Sequence, residues 1–294
     1  MTTDERPARL DVGVVGTGRV GAVLGAALAR AGHSVVAGYG VSVSSKHRAH
    51  ELLPDVPLVS TAEVFLRAGL VLLTVPDDAL PGLVTGLAGT GAIRSGQIIV
   101  HTSGRYGVGV LEPATRAGAL PLALHPAMTF TGTGVDLERL AGAVFGVTAP
   151  EQLWPVAEAL VVEMGSEPVR IAEENRTLYH AALAHASNHL VTLVADAMDL
   201  LSAAGVDHPD KVLAPLLSAA LDNVLRSGDA ALTGPVARGD AGTVASHVAE
   251  IGRAAPESLA GYVQLARRTA ARALASGRLK ATDAEPLLDA LSVE

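Results

Sequence analysis

Residues 11–21, DVGVVGTGRVG, decide the fold of this chain. They begin with a short β-rich run and continue into three glycines at the spacing GxGxxG. Residues 22–32, AVLGAALARAG, are apolar at helical spacing and end in Gly32, a residue typical of helix C-termini. A second β-rich run, HSVVAGY, follows at 33–39. A lone GxGxxG is weak evidence, but strand, glycines, helix and strand in this order predict a dinucleotide-binding unit.

Each glycine of the motif has its own task in such a unit. The first makes the tight turn, the second lets the backbone approach a pyrophosphate, and the third lets helix and strand pack closely. A plain strand–helix turn without a ligand is the alternative. The predicted cofactor contacts of this loop are Gly16, Thr17, Gly18, Arg19, Val20 and Gly21.

The region after the second strand favours NADP(H). An NAD-binding unit usually places Asp or Glu about 20 residues after the first glycine, where it holds the ribose 2′-hydroxyl. Here residues 35–50 contain no acid, and the first one of this region is Glu51. The region instead offers hydroxyls and cations, which suit a 2′-phosphate: Ser42, Ser44, Ser45, Lys46 and Arg48. The alternative is a solvated loop that happens to be basic.

Further strand-like runs predict the rest of a doubly wound sheet. The runs are LVLLTVP (70–76), QIIVHTSG (97–104), ALPLALHP (119–126), AVFGVTA (143–149) and EPVRIA (167–172). The first is continuously apolar, as expected of a parallel strand that is buried on both faces. We therefore predict an α/β fold whose sheet ends near residue 172.

The carboxyl ends of these strands are the expected place for ligands. The candidates there are Ser103, Gly104 and His125 for substrate and catalysis, and Val75, Pro76 and Asp77 for the cofactor. A strand-end serine or histidine also often only caps or satisfies a loop. Asp77 and Asp78 are additionally candidate caps of the next helix.

After residue 172 the β pattern stops and helical patterns continue to the end of the chain. We predict a Rossmann-type NADP-binding domain at 1–172 and an all-α domain for substrate binding and dimerisation at 173–294. The helices are rich in Ala and Leu and offer more apolar faces than about 120 residues could bury alone, which predicts a homodimer. The active site is expected in the cleft between the domains.

Residues 179–190, YHAALAHASNHL, place three histidines and an asparagine among alanines and leucines. At about 100° per residue these polar groups form a stripe along one side of an apolar helix. We predict that the stripe walls the active site, with His180, His185 and Asn188 as candidate catalytic residues. Packing in the core or on the surface is the alternative for each histidine. A zinc site at His185 and His189 lacks both an HExxH motif and a nearby acid, so no metal is predicted.

The segment ALTGPVARGD (231–240) supplies two further candidates. Arg238 could hold a substrate carboxylate with two hydrogen bonds, and Asp240 could orient Arg238 or cap the next helix. A corner between two helices, shaped by Thr233, Pro235 and Asp240, explains the segment equally well.

Composition excludes several other classes of function. Aromatic residues make up 3% of the chain and the net charge is −8, which argues against nucleic acid and anionic membranes as partners. The chain has no cysteine, so disulfides, thiolate nucleophiles and cysteine-ligated metals are excluded. No apolar run approaches the ~18 residues of a membrane span, and the N-terminus lacks the pattern of a signal peptide. A cytoplasmic protein is therefore expected.

The motifs GVVGTGRVG, LVLLTVPDDALP, HTSG, LHPAMTF, YHAALAHASN and ALTGPVARGD resemble a bacterial family of Rossmann-like oxidoreductases with a helical C-terminal domain of unknown function. The resemblance implies distant kinship with β-hydroxyacid dehydrogenases, ketopantoate reductases and pyrroline-5-carboxylate reductases, and a helical domain like that of 6-phosphogluconate dehydrogenase. In the hydroxyacid relatives a helix supplies a Lys and, three residues later, an Asn. Asn188 matches that Asn, but His185 stands where the Lys would be. The resemblance favours His180 as proton donor, because its position is typical of the YHAA motif.

Together these features predict an NADPH-dependent reductase of a C=O or C=N bond in a small, carboxylate-bearing metabolite. By family analogy alone, a 2-keto acid such as ketopantoate is the best single substrate. A short-chain dehydrogenase is excluded, because none of the four tyrosines has a lysine four residues on. The alternative from another class is a non-catalytic NADP-binding sensor or scaffold that dimerises through its helical domain. Substrate, keto or imine chemistry and the identity of the donor histidine stay open at this point.

Overall fold

The computed structural model describes residues 9–292. The chain divides into two compact units, of which the first ends at His185 and the second begins at Ala186. This division falls inside a long helix, α8 (Arg176–Ala203), and therefore later than the domain boundary expected near residue 172. None of the helices in the described part combines the length and apolar character that a membrane span requires.

The first unit is built on a seven-stranded sheet. In chain order its strands are β1 (Asp11–Val15), β2 (Ser34–Tyr39), β3 (Leu70–Leu73), β4 (Ile98–His101), β5 (Leu120–Pro126), β6 (Val144–Thr148) and β7 (Glu167–Arg170). Across the sheet they are arranged β2-β1-β3-β4-β5-β6-β7, and every neighbouring pair is parallel except β5 and β6. The predicted Rossmann-type sheet is confirmed. The central strands are buried on both faces, which explains why β3 is apolar throughout.

Helices cover both faces of the sheet. In the first unit they are α1 (Arg19–Arg30), α2 (Val43–Leu52), α3 (Thr61–Arg67), α4 (Leu80–Gly89), α5 (Glu112–Arg116), α6 (Val135–Leu140) and α7 (Trp154–Glu163). One core cluster packs α1, α6 and α7 against the sheet, and a second packs α3, α4 and α5. These two layers of helices make the fold doubly wound, as predicted.

The prediction that Asp77 or Asp78 caps the helix after β3 is wrong. The residue before α4 is Ala79, and no side chain caps this helix. The backbone N–H groups of Ala79 and Leu80 donate instead to the carbonyl of Pro76, at 3.0 and 3.2 Å. Pro81 near the start of the helix needs no partner, because proline has no N–H. The turn is therefore satisfied by backbone alone, and the side chain of Asp77 is left for another role.

The described residues of the second unit, 186–292, form helices joined by turns. Besides the end of α8 it contains α9 (Pro209–Ser227), α10 (Gly234–Arg238), α11 (Ala241–Ala254), α12 (Pro256–Ala275) and α13 (Ala281–Ala290). Its core includes Val244, Val263 and Leu287. Asp240 caps α11, because its carboxylate accepts the backbone N–H of Thr243 at 3.0 Å and the hydroxyl of Thr243 at 2.7 Å. This is one of the two roles considered for it, and the neighbouring Arg238 is exposed.

Candidate functional site

The glycine loop between β1 and α1 has two glycines that local packing requires and one that leaves space open. Gly16 has φ +102°, and a β-carbon there would lie 2.7 Å from the carbonyl oxygen of Thr74. A β-carbon on Gly21 would overlap the carbonyl of Gly16 and the hydroxyl of Thr74. Beside Gly18, by contrast, no atom lies within 4 Å of the β-carbon position. The open space at Gly18 is what a closely approaching phosphate would need.

The loop is held so that the N-terminus of α1 faces this open space. Gly16 and Thr17 donate their backbone N–H groups to the carbonyl of Tyr39, at 2.8 and 3.0 Å. The buried hydroxyl of Thr17 donates to the carbonyl of Ser45 at 3.1 Å, so this side chain anchors the loop. The first N–H groups of a helix have no partner within it, and they attract a pyrophosphate. Here these N–H groups are the ones in the first turn of α1, which begins at Arg19 directly after Gly18.

The serines and cations after β2 divide into inward and outward groups. Ser42 caps α2 by accepting the N–H of Ser45 at 3.1 Å, and the hydroxyl of the buried Ser45 donates back to the Ser42 carbonyl at 2.8 Å. The side chains of Ser44 and Lys46 are exposed, whereas Arg48 is half-buried. Ser42 and Ser45 therefore serve the turn, and the side chains of Ser44, Lys46 and Arg48 are left to meet a ligand.

A cleft of about 410 Å³ lies at the carboxyl ends of β1, β3, β4 and β5. Its lining residues are Gly18, Arg19, Val20, Thr74, Val75, Pro76, Asp77, Thr102, Ser103, Gly104, His125 and His180. The sequence predicted ten of these twelve as site residues, from the glycine loop, from three strand ends and from the YHAA motif. The fold brings these separate motifs together within the first unit.

Two rings of the cleft enclose the backbone of Gly104. A β-carbon on Gly104 would lie 2.9 Å from Nε2 of His125 and would overlap the ring of His180. The two imidazoles meet edge to face, with centroids 5.8 Å apart. On its other side, His125 Nδ1 lies 2.9 Å from the hydroxyl oxygen of Tyr179. Glycine is therefore required at 104, and Nε2 of His125 is the ring nitrogen on the side of Gly104.

His125 and Tyr179 are both neutral at physiological pH. Burial lowers the pKa of His125 to about 4, assisted by the positive charge of Arg176 and by the neighbouring His180 and His101. Burial also raises the pKa of the Tyr179 phenol, although Arg176 opposes that shift. The pair can thus share a hydrogen bond without carrying charge.

His101 belongs to the site although sequence reasoning missed it. It is fully buried at the end of β4, its Nδ1 accepts the N–H of Ser103 at 3.2 Å, and its Nε2 donates to the carbonyl of Gly107 at 2.8 Å. Burial lowers the pKa of His101 to about 4, so the ring is neutral. It fixes the loop that carries Ser103. Its signal in the sequence was a polar residue at the end of an apolar strand.

Arg176, at the start of α8, is the second residue that sequence reasoning missed. Its side chain is 1% exposed and donates to three backbone carbonyls: Tyr106 at 2.8 Å, Ser103 at 3.0 Å and Gly146 at 3.0 Å. Burial lowers the pKa of Arg176, but a guanidinium keeps its proton in proteins. The guanidinium lies 5.8 Å from the ring centre of Tyr179. A buried positive charge therefore ties the loop that carries Ser103 and Tyr106 to β6, beside His125 and Tyr179.

The remaining predicted site residues lie elsewhere. His185 is exposed and does not line the cleft, so of the two histidine candidates on α8 only His180 does. Asn188, Arg238 and Asp240 belong to the second unit. Apart from the cap that Asp240 makes on α11, the roles of these three residues in substrate binding or catalysis stay predictions.

Two family models match successive parts of the chain. The first is a Rossmann-like domain and matches residues 1–126. The second is a domain of unknown function, DUF2520, and matches residues 143–269. The chain joins a Rossmann-like domain to a DUF2520 domain. The resemblance drawn from the motifs is thereby confirmed.

Solved structures of similar fold cover nearly the whole chain. A proposed NADP oxidoreductase from Bacteroides fragilis is 23% identical, with a TM-score of 0.74 over 89% of this chain and 98% of its own. A protein from Thermotoga maritima is 21% identical, with a TM-score of 0.68 over 90% and 99%. An imine reductase from Pseudomonas sp. is 20% identical, with a TM-score of 0.63 over 97% and 100%. At such identities the likeness establishes the fold alone. No curated protein sequence matches significantly.

Proposed function

We propose that this protein is an NADPH-dependent oxidoreductase that reduces a C=O or C=N bond of a small, carboxylate-bearing metabolite. One observation carries the proposal: the N-terminal turn of α1 and the imidazoles of His125 and His180 line the same cleft. The open space at Gly18 and the N–H groups of α1 fit a pyrophosphate. When bound, NADPH supplies the hydride.

The residues around Gly104 would position the reacting group and supply the proton. Ser103 Oγ accepts the N–H of Tyr106 at 3.2 Å, which leaves the hydroxyl proton of Ser103 available for a substrate oxygen or nitrogen. We assign to His125 the tautomer in which Tyr179 donates to Nδ1, so that Nε2 carries a hydrogen that can be donated in the cleft. His180, on the other side of Gly104, is the proposed proton donor.

The proposed substrate class is supported by family analogy and by one protein of similar fold. A 2-keto acid such as ketopantoate is proposed by family analogy, with Arg238 as the partner for its carboxylate. Imines are kept in the proposal because one protein of similar fold is an imine reductase. The test is a panel of 2-keto acids and cyclic imines, scored by the loss of reduced nicotinamide absorbance. NADPH binding without turnover of any compound would favour the non-catalytic sensor instead. The cytoplasmic location also stays a prediction.

We predict that NADPH binds more tightly than NADH. The exposed Ser44 and Lys46 follow β2 where an NAD-binding protein usually has an acid. Loss of one charged contact to the 2′-phosphate costs roughly 1.5–3 kcal/mol, or about ten- to a hundredfold in affinity. Calorimetry with both dinucleotides at one salt concentration measures the difference. Lys46→Met should reduce it, whereas Lys211→Met on α9 should not. Equal or tighter binding of NADH would refute this prediction.

We also propose that the protein is a homodimer through its helical unit. Helices α8 and α9 expose a set of large apolar side chains: Leu190, Val191, Leu193, Val212, Leu216, Leu221, Val224 and Leu225. Apolar surface of this extent usually marks an interface.

Light scattering at micromolar concentration should give about twice the mass of one chain. Leu225→Glu, at a side chain that is 78% exposed, should shift the protein toward the monomer. Leu66→Glu on α3 is the matched control, because Leu66 is 68% exposed in the first unit. A wild-type protein that scatters as a monomer would contradict the proposal.

A further inference from the structure

The loop after β5 has a shape that one buried carboxylate fixes. We call residues 131–133 the Gly132 loop. The carboxylate of Asp136 is fully buried, and it accepts the hydroxyl of Thr131 at 3.0 Å and the backbone N–H of Gly132 at 2.7 Å. The hydroxyl oxygens of Thr131 and Thr133 lie 2.9 Å apart. A buried carboxyl group held by two hydrogen bonds makes a loop rigid, because moving the loop would leave its oxygens without partners.

Two arginines from different helices pack against the centre of this loop. A β-carbon on Gly132 would lie 2.7 Å from Nε of Arg48 and 2.8 Å from Cγ of Arg19. Arg19 begins α1 and also lines the cleft, whereas Arg48 belongs to α2. Gly132 has φ +82°, so its backbone also disfavours any other residue. The close approach of both side chains therefore depends on glycine at this position.

The side chains of Arg19 and Arg48 meet at Gly132 without an anion of their own. Within residues 9–292 neither forms an ion pair with a carboxylate or a hydrogen bond. The carboxylate of Asp136 is already engaged with Thr131 and Gly132, and Lys46 lies two residues before Arg48 on α2. Like charges at short range repel each other, and a dianion placed between them removes that cost. Guanidinium groups are also the cations best suited to grip phosphate with paired hydrogen bonds.

We propose that the Gly132 loop is a positioning element that holds Arg19 and Arg48 as a pair over a phosphate of the bound dinucleotide. The inference rests on the proposed cofactor binding, and it adds residues that the GxGxxG motif does not include. The phosphate is either the 2′-phosphate of NADPH or the pyrophosphate that NADPH and NADH share. The chemistry of recognition is the same for both.

The test is a double-mutant cycle measured by calorimetry with NADPH and with NADH. Gly132→Ala adds the β-carbon that would displace Arg48, and Arg48→Met removes the charge directly. Gly134→Ala is the matched control, because it lies beside the same loop and no atom is within 4 Å of its β-carbon position. Thermal melts verify that each variant folds. If Gly132→Ala does not fold, Thr131→Val takes its place, because it removes one bond to Asp136.

The two single variants should each weaken NADPH binding about tenfold or more, and the loss in the double variant should be smaller than the two single losses multiplied, because part of the Gly132→Ala effect acts through Arg48. A loss confined to NADPH assigns the pair to the 2′-phosphate, and an equal loss for NADH assigns it to the pyrophosphate. The proposal is overturned if Gly132→Ala binds like the wild type, or if its effect is equally large without Arg48. A wild-type protein that binds neither dinucleotide would instead refute the proposed function, and this inference with it.

Discussion

Arg176→Met should lower the free energy of unfolding by about 3–5 kcal/mol. The guanidinium makes three hydrogen bonds to buried or partly buried carbonyls, and each bond from a charged donor contributes roughly 1.5–3 kcal/mol. These contributions do not add fully, because removing the cation also removes the cost of burying it. Methionine fills a similar length but satisfies none of the three carbonyls. Urea denaturation of the wild type and the variant measures the change.

The matched control is Arg170→Met. Arg170 also lies over an aromatic ring, that of Trp154, and forms an ion pair with Glu151, but that ion pair is exposed. An exposed pair contributes little to stability, so this variant should unfold close to the wild type. Arg176→Lys should fall between the two, because an ammonium group keeps the charge but cannot reach all three carbonyls with the same geometry. If Arg176→Met were as stable as Arg170→Met, the three bonds would have no net effect.

The same variant should raise the pKa of His125 from about 4. Burial is the main cause of the low value and stays in the variant, so the pKa should move only part of the way toward 6.5. The direction follows from charge: without the neighbouring cation, the protonated imidazole is less disfavoured. Nitrogen-detected NMR titration of the histidine rings measures the shift. An unchanged pKa would mean that burial alone keeps His125 neutral.

The parts of this fold that the sequence predicts are those with local causes. The GxGxxG loop, the alternation of strands and helices and the candidates at strand ends follow from short-range patterns and from the rule that parallel strands end together. Arg176 has no such signature. Its three carbonyl partners lie 70, 73 and 30 residues away along the chain, so only the folded sheet shows why a cation is buried there.

The polar stripe on α8 shows a second limit of prediction from sequence. A helical wheel gives the direction in which a side chain points but not its position along the axis. Asn188 is eight residues beyond His180, or about 12 Å further along the helix. The wheel therefore grouped His180 with His185 and Asn188, although only His180 lines the cleft of the first unit. The prediction that Asp77 caps α4 failed because the backbone N–H groups of Ala79 and Leu80 donate to the carbonyl of Pro76 instead, which a sequence pattern does not show.

His180→Gln should lower turnover of a confirmed substrate by about 10²–10⁴, the usual contribution of a general acid. The affinity for NADPH should barely change, because the groups that would bind its pyrophosphate are in the glycine loop. His50→Gln on α2 is the control, since His50 is an exposed histidine of the same unit. Asn188→Ala tests the other α8 candidate, and a bond to the reacting oxygen would make it cost ~10²–10³ in rate.

The pH dependence of the rate separates the two imidazoles of the cleft. His125 has a pKa of about 4, so it stays neutral across the neutral range and cannot cause an ionisation there. His125→Gln should therefore slow the reaction but leave any rate-controlling ionisation near neutral pH in place. Only replacement of the true donor should remove that ionisation. Suppose instead that the variants at His180, His125 and Asn188 all fold, bind NADPH and turn over substrate like the wild type. The polar groups of α8 would then serve packing, and the cleft would fit an NADP-binding sensor better than a reductase.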